Sequence, residues 1–255
     1  MNTFFRMTIM AAALSSAASA ALAEQIAQPR TIDARIMKVN LGGVVNLHVK
    51  QGPVAALTII GERDDVAKVK VTRTGDTLNI NTEGRSWRFG KSQSRDIRAE
   101  LTVPNFSELN SHGVGASDIQ GFTGDAFKLS LEGAGAVTVN SNYRNVVANL
   151  GGVGSMKLNS GNSDQVDLKL RGAGHIEVSG TSRLLRADLG GVGSLDAQKL
   201  QADTVELDMS GLGGATVYAK SAANVKLSGM GSATIHGNPA RRTADARGMG
   251  SVNWE

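Results

Sequence analysis

An all-β, right-handed parallel β-helix is the fold predicted by this sequence: a solenoid with coils of about 19–20 residues behind an amino-terminal β cap region. Three observations carry the prediction. A Gly-x-Gly phrase returns eight times, with its structural corner glycines at Gly113 and Gly115, Gly133 and Gly135, Gly152 and Gly154, and Gly172 and Gly174. It continues at Gly191 and Gly193, Gly211 and Gly213, Gly229 and Gly231, and Gly248 and Gly250. Successive first glycines lie 20, 19, 20, 19, 20, 18 and 19 residues apart, and so steady a period marks stacked repeats. Around each phrase apolar and polar residues alternate, and the apolar ones keep the same offsets from copy to copy.

Residues 1–23 read as a signal peptide. Arg6 sits in a short, weakly basic start, a small-residue apolar run follows, and Ala21-Leu22-Ala23 fits the small-x-small cleavage rule. Ser15, Ser16 and Ser19 interrupt the run, which is unlike the roughly 20 strongly apolar residues of a membrane anchor. The mature chain is expected to begin at Glu24 and to reside in the periplasm or outside the cell, with no later apolar span. There is no cysteine, which excludes disulfides, thiolate metal sites and cysteine nucleophiles.

Residues 24–35 form a polar lead. From 36 to 105 short alternating runs read as strands, such as Leu47 with Val49, Leu57 with Ile59, Val69 with Val71 and Leu78 with Ile80. Turns like Thr74-Gly75-Asp76 separate them. The glycine period is not seen here, and this amino-terminal β region is expected to cover the first coil, whose edge would otherwise stay unpaired.

Residues 106–255 form the repeat. Around Gly172, Val166, Leu168 and Leu170 precede the corner and Ile176 and Val178 follow it, each alternating with a polar residue. Each coil is therefore expected to be two short strands meeting at the Gly-x-Gly corner, closed by a polar return such as Asn159–Ser163. Glycine suits the corner because it tolerates positive φ and admits the backbone of the next turn. At about 4.8 Å per coil, eight coils make a rod of roughly 38 Å. A unit of 39 residues also shows through: Leu150-Gly151-Gly152-Val153-Gly154-Ser155 recurs as Leu189 to Ser194.

The export signal, the Leu78-Asn79-Ile80 strand after Thr74-Gly75-Asp76, the Ile97-to-Pro104 strand and Ser111-His112-Gly113-Val114-Gly115 entering the repeats together resemble the head GIN domain family of auto-transporter adhesins. The resemblance covers about residues 36–255. It implies a β-helical protein of the bacterial envelope, and the family supplies no catalytic motif to carry over.

The repeated glycines are not phosphate cradles, since each copy is followed by a strand rather than opening a helix. Nor are they calcium-binding nonapeptides, which need Asp where this chain has Met156 or Leu195. Asp188 and Asp208 share one outward column, flanked by Lys169 and Lys226, and read as a solvated ladder of mixed charge. A second outward column holds Asp118, Thr138, Lys157, Glu177, Asp196, Thr216 and Thr234. His48, His112, His175 and His236 are scattered, without metal-ligand spacing or an evident acid partner. The most distinctive non-repeat stretch runs from Gly84 to Arg98, with five basic residues against Asp96. Its Arg85, Trp87, Arg88, Phe89 and Lys91 are the candidate ligand contacts, of a kind that stacks on sugars or meets anionic polymers.

These features predict an exported, non-catalytic envelope protein with an adhesin-like or structural role, and no cofactor or metal. The alternative is a polysaccharide-binding module, with a polysaccharide-active enzyme a more distant one. An enzyme would need loops that wall a cleft, whereas every coil here spans 18 to 20 residues. Expected partners are envelope polysaccharide or a surface protein; export argues against nucleic acid.

Overall fold

The computed structural model of the protein describes residues 25–82 and 97–255. The amino-terminal strands are β1 (Gln25–Arg30), β2 (Lys38–Leu41), β3 (Asn46–Gln51) and β4 (Ala56–Glu62). A one-turn helix α1 (Arg63–Val66) leads to β5 (Val69–Thr74), β6 (Thr77–Thr82), β7 (Arg98–Val103) and β8 (Glu108–Ser111). The repeats follow as β9 (Val114–Leu131), β10 (Ala134–Leu150), β11 (Val153–Leu170), β12 (Ala173–Leu189), β13 (Val192–Met209) and β14 (Leu212–Leu227). The chain closes with β15 (Met230–His236), β16 (Arg241–Ala246) and β17 (Ser251–Trp254).

The repeat strands pair in parallel and in register, as a parallel β-solenoid requires. Ala134 lies beside Val153, Val153 beside Ala173, Ala173 beside Val192 and Val192 beside Leu212. The alternating apolar residues all turn inward. The layers two and four residues before the first glycine (Leu170 and Leu168) and four and six after it (Ile176 and Val178) are buried in every coil from β10 to β14. A further inward layer sits six before it, with Phe127, Val146, Val166, Leu185 and Val205. Burying each such side chain contributes about 1.5–3 kcal/mol, so the core strengthens with each added turn.

The return edge differs from the expected polar loop. Asn159–Ser163 stays within β11, and the ladder only shifts register there, between Asn159 and Asn162 against β12. Ser160 and Ser163 are buried at this edge because their hydroxyls find backbone acceptors. Ser163 Oγ donates to the Tyr143 carbonyl at 2.7 Å, and Ser160 Oγ to that of Ser179 at 3.2 Å. Serine is small enough to enter the stack and can satisfy itself against the strand, so the chain needs no loop.

At the opposite edge the corners nest. The Val192 amide donates to the Gly172 carbonyl at 2.9 Å, and the Leu212 amide to that of Gly191 at 3.0 Å. A Cβ on Gly191 would stand 2.2 Å from the Gly172 carbonyl oxygen. Gly193 has φ +154°, and a Cβ there would stand 1.8 Å from the Gly174 carbonyl oxygen. Both glycines of the phrase are therefore required by the turn beneath.

The second glycines form one column along this edge. A Cβ on Gly135 would stand 2.0 Å from the Gly115 carbonyl oxygen, and one on Gly213 would stand 1.7 Å from that of Gly193. One on Gly231 would likewise stand 2.0 Å from the Gly213 carbonyl oxygen. Gly250, at the last corner, differs in what crowds it. A Cβ there would meet the Leu227 side chain first, at 2.2 Å from Cδ2, and the Gly231 carbonyl oxygen at 2.5 Å. The final corner therefore rests on a core side chain as well as on the backbone beneath it.

The amino-terminal rungs are threaded out of sequence order. β2 lies between β6 and β8, and β3 between β7 and β9. The first coil of the chain is thus the second rung of the stack, and its Gly42-Gly43 corner continues the repeat column, with Val44 bridging Val114. This region therefore supplies one further corner of the column in space, with Val45 in place of the second glycine, although the glycine period along the sequence does not extend into it. Antiparallel strands cover the end: β4 pairs with β7, β1 with β4, and β5 with β6. β1 occupies part of the predicted polar lead, and Pro29 interrupts its hydrogen-bonding capacity at an edge. An Asn79–Asn40–Asn110 ladder, at 2.9 and 3.1 Å, crosses the three threaded strands. Where the repeats begin, Phe106, Phe122, Phe127 and Tyr143 pack together. The buried Tyr143 hydroxyl donates to the Phe106 carbonyl, and burial pushes its pKa well above the usual tyrosine value.

Outward columns mix charged and neutral residues along the stack, and lysines offset the carboxylates where they come close. Glu177 sits between Lys157 at 3.1 Å and Lys199 at 3.3 Å, and hydrogen bonds from these two lysines hold its carboxyl below the ordinary 4.5.

Two predictions test this architecture. Gly193→Ala should cost on the order of 2–4 kcal/mol, whereas Gly190→Ala should change stability by less than about 0.5 kcal/mol. The contrast arises because a Cβ on Gly190 meets nothing nearer than Ser210 Oγ at 3.5 Å; urea unfolding of the two variants measures it. Because folding lowers the Glu177 pKa, its stabilisation is complete above pH 4.5 and is lost as the pH falls through the depressed value. Glu177→Gln should therefore lower Tm at neutral pH, and the difference from the parent should shrink as the pH falls below 4.5 and through the depressed value, read by thermal melts across the range.

Candidate functional site

The corner-preceding sheet carries a groove of about 510 Å³ on its outer face, lined by Val147 of β10 and by residues of β11 to β14. Strict alternation places it: residues three and five before each first glycine face outward, opposite the core layers. Parallel register stacks the first column as Lys169, Asp188, Asp208 and Lys226, and the second as Asp167, Arg186, Glu206 and Asn224. The Asp188–Asp208 adjacency and its flanking lysines thus stand as the repeat offsets predict.

Some of these charges are already neutralised. Arg171 Nη2 lies 2.7 Å from Asp188, and Arg186 Nε lies 2.7 Å from Glu206. The hydrogen bond to Glu206 raises the pKa of the Arg186 guanidinium further. Gln165 donates to both Asp167 carboxylate oxygens, at 2.8 and 3.0 Å. Lys169, Asp208 and Lys226 make no ion pair or side-chain hydrogen bond among the described residues, so they are the groups open to a ligand. The arrangement offers two cations and a carboxylate along a strip of hydrogen-bonding side chains. Asp188 is held by Arg171, and Asp208 stands beside it as the uncommitted carboxylate.

A smaller hollow of about 200 Å³ lies on the other sheet near the amino end, between β3, β7 and β9. There His48 lies beside Asp118, with Nδ1 3.7 Å from Oδ2, while Gln120 donates to the same oxygen at 2.7 Å. The carboxylate was not evident as a histidine partner in the sequence, since 70 residues separate the pair. The signal was nonetheless present: aligning Leu41-Gly42-Gly43-Val44 with Leu150-Gly151-Gly152-Val153 puts His48 in the column of Asp118 and Lys157. His236 likewise meets Glu255 at 3.5 Å, and His175 Nδ1 lies 2.8 Å from Ser194 Oγ. Among the described residues no group of three or more histidine, aspartate or glutamate side chains could hold a metal ion.

The candidate contacts Arg85, Trp87, Arg88, Phe89 and Lys91 lie outside the described residues. The residues bracketing them are anchored at the corner edge of the stack. The Val44 amide donates to Thr82 Oγ1 at 3.1 Å, and the Asn46 amide to the Ile97 carbonyl at 2.8 Å. The corner glycines, from Gly113 and Gly115 to Gly248 and Gly250, lie along that same edge and offer backbone rather than side chains.

Comparison with known proteins agrees with this architecture. No curated protein matches the chain. Among solved structures, one described as a putative lipid binding protein from Parabacteroides distasonis aligns with TM-score 0.78 at 20% identity, covering 91% of this chain and 96% of that one. A putative adhesin from the same organism aligns with TM-score 0.74 at 14% identity, covering 91% and 97%. A putative adhesin from Bacteroides fragilis aligns with TM-score 0.66 at 21% identity, again covering 91% and 97%. At these identities the likeness is one of fold. Residues 37–239 match the family described as putative auto-transporter adhesin, head GIN domain, and the chain belongs to that family.

Proposed function

We propose that the mature protein is an exported, non-catalytic component of the bacterial envelope that works as an adhesin, holding an extended partner against its outward ladders. The observation that carries this reading is the equal length of the coils. With 18 to 20 residues in every repeat, the charged columns run unbroken from β11 to β14, and no repeat supplies a loop long enough to wall a catalytic cleft. Membership of an adhesin-named family supports it, as does the Ala21-Leu22-Ala23 export signal. No helix among the described residues is long and apolar enough to cross a membrane.

A second reading, a polysaccharide-binding module, is favoured by the groove itself. Its volume lies within the range of small-ligand sites, and Lys169, Asp208 and Lys226 are uncommitted there. An anionic glycan would pair with the two lysines and accept or donate hydrogen bonds along the strip. The segment from Arg85 to Lys91 would add stacking and positive charge. The lipid-binding description of the Parabacteroides distasonis structure makes lipopolysaccharide a further partner to test.

Binding of the purified mature protein to an array of polysaccharides, lipopolysaccharides and bacterial surface proteins tests both readings. A saturable glycan signal should fall about tenfold or more in the Trp87→Ala, Arg88→Ala double variant if the segment is the contact, and in the Lys169→Ala, Lys226→Ala double variant if the groove is. Binding to a surface protein alone would leave the adhesive reading and remove the glycan one. Turnover of any bound glycan would refute the non-catalytic assignment.

A further inference from the structure

The middle residue of each corner forms a third column, which neither the groove nor the export signal uses. It runs along the edge of the rod from Val44 through Val114, Val153, Val192 and Leu212 to Met230, each between 44% and 61% exposed. Met249 ends it at 76% exposure, and Ala134 and Ala173 occupy the remaining steps. Single exposed apolar residues are ordinary on a protein surface, but an unbroken line of them is not.

We propose that this ridge is where two copies of the chain associate side by side, antiparallel, about a two-fold axis. The argument begins with spacing. Glycine flanks each apolar residue of the repeat corners on both sides, so the ridge is a row of knobs bordered by two side-chain-free furrows. A partner that fits it over many rungs must repeat at the same interval of about 4.8 Å, and a second copy of the ladder does so by construction. A two-fold arrangement also closes on itself and leaves no free ridge to propagate a filament.

Charge selects the register. Within the overlap the column just before the first glycines is small apart from His112, Glu132 and, two rungs on from Glu132, Arg171, whose exposed guanidinium also pairs with Asp188 of its own chain at 2.7 Å. In an antiparallel pair this column faces its own copy. With the axis at Val153, Glu132 of each copy lies opposite Arg171 of the other, and Val114 lies opposite Val192. An axis at Ala173 would instead bring the two Arg171 side chains together. Like charges disfavour that register.

The overlap from Val44 to Leu212 spans six rung steps, so the contact is about 29 Å long but narrow. A narrow strip buries little area, so the dimer is weak and reversible rather than permanent. A membrane surface fits less well, because the ridge is one residue wide and has no continuous belt of basic residues beside it among the described residues.

Sedimentation velocity on the mature chain, from low-micromolar to near-millimolar concentration, tests the proposal. The parent should pass from monomer to dimer. Val153→Asp, on the proposed axis, should weaken dimerisation by about tenfold or more while leaving the thermal melt close to that of the parent. Glu132→Arg and Arg171→Glu should each weaken it, and the double variant should recover the parent's affinity. A parent that stays monomeric at the highest concentration overturns the proposal. So does a dimer indifferent to Val153→Asp, or a charge swap without recovery. Parallel flotation with vesicles of phosphatidylcholine and phosphatidylglycerol tests the other occupant: a monomer that binds vesicles through Val153 would overturn self-association in favour of lipid contact.

Discussion

Everything in this molecule follows from the closeness with which one corner rests on the next. The carbonyl oxygen of Gly172 occupies the place a side chain on Gly191 would need, and it also accepts the hydrogen bond from Val192. The contact that forbids a Cβ is thus the contact that extends the ladder. Once it is made, register is fixed for the whole turn, because a slip of one residue would exchange the buried and exposed faces. Core layers, charged columns and the apolar ridge are all consequences of one backbone spacing repeated along the chain.

That spacing sets an electrostatic problem as well. In-register stacking places equivalent side chains about 5 Å apart, so identical charges in successive repeats would repel along the full rod. The chain avoids this by varying the outward residues while keeping the inward ones apolar. Lys157, Glu177 and Lys199 form a chain of attraction across neighbouring turns, as do Arg186 and Glu206. These exposed pairs contribute little individually. Their more important effect is to remove repulsion at positions the fold forces together. Where like charges adjoin in such a column, as at Asp188 and Asp208, an arginine from another column intervenes on one of them.

The repeats were legible because both determinants of a coil are local. Alternation names the buried face, and the glycines name the corner, so the inward layers and the outward columns could be placed from sequence alone. Even so, the corners are not equivalent. Gly135, Gly213 and Gly231 answer to the carbonyl beneath, whereas Gly250 answers first to Leu227, a packing difference that the repeated phrase does not disclose. The amino-terminal region was less legible because its order in space is not its order in the chain. No local pattern around Leu41-Gly42-Gly43-Val44 says that its rung will lie between β6 and β7 on one side and β8 and β9 on the other. The phrase does match Leu150–Val153 closely enough to reveal a ninth corner, but the position of that corner in the stack depends on long-range pairing. His48 and Asp118 were missed for the same reason. The return edge misled in another way: a run such as Asn159–Ser163 has the composition of a loop, yet its serines bond to the strands and enter the stack. Polarity there records satisfied hydrogen bonds rather than exposure.

The balance between constraint and freedom also bears on the proposed role in contact rather than chemistry. A catalytic centre draws together residues from distant parts of a chain on loops of unequal length. Here the inward half of each coil is committed to the core, the corners to glycine, and the return edge to buried side chains, from Phe122 and Tyr143 to Ser163, Ser182 and Ala202. What remains variable is the outward column, where each residue has a neighbour above and below at a fixed interval. Substitutions in such a column retune a long surface one step at a time without disturbing the stack, since Lys169 and Lys226 bear no weight in the core. The surface so produced is periodic, rigid and elongated. The partners proposed for it are themselves extended or periodic: a polymer laid along the columns, or a second ladder laid along the ridge.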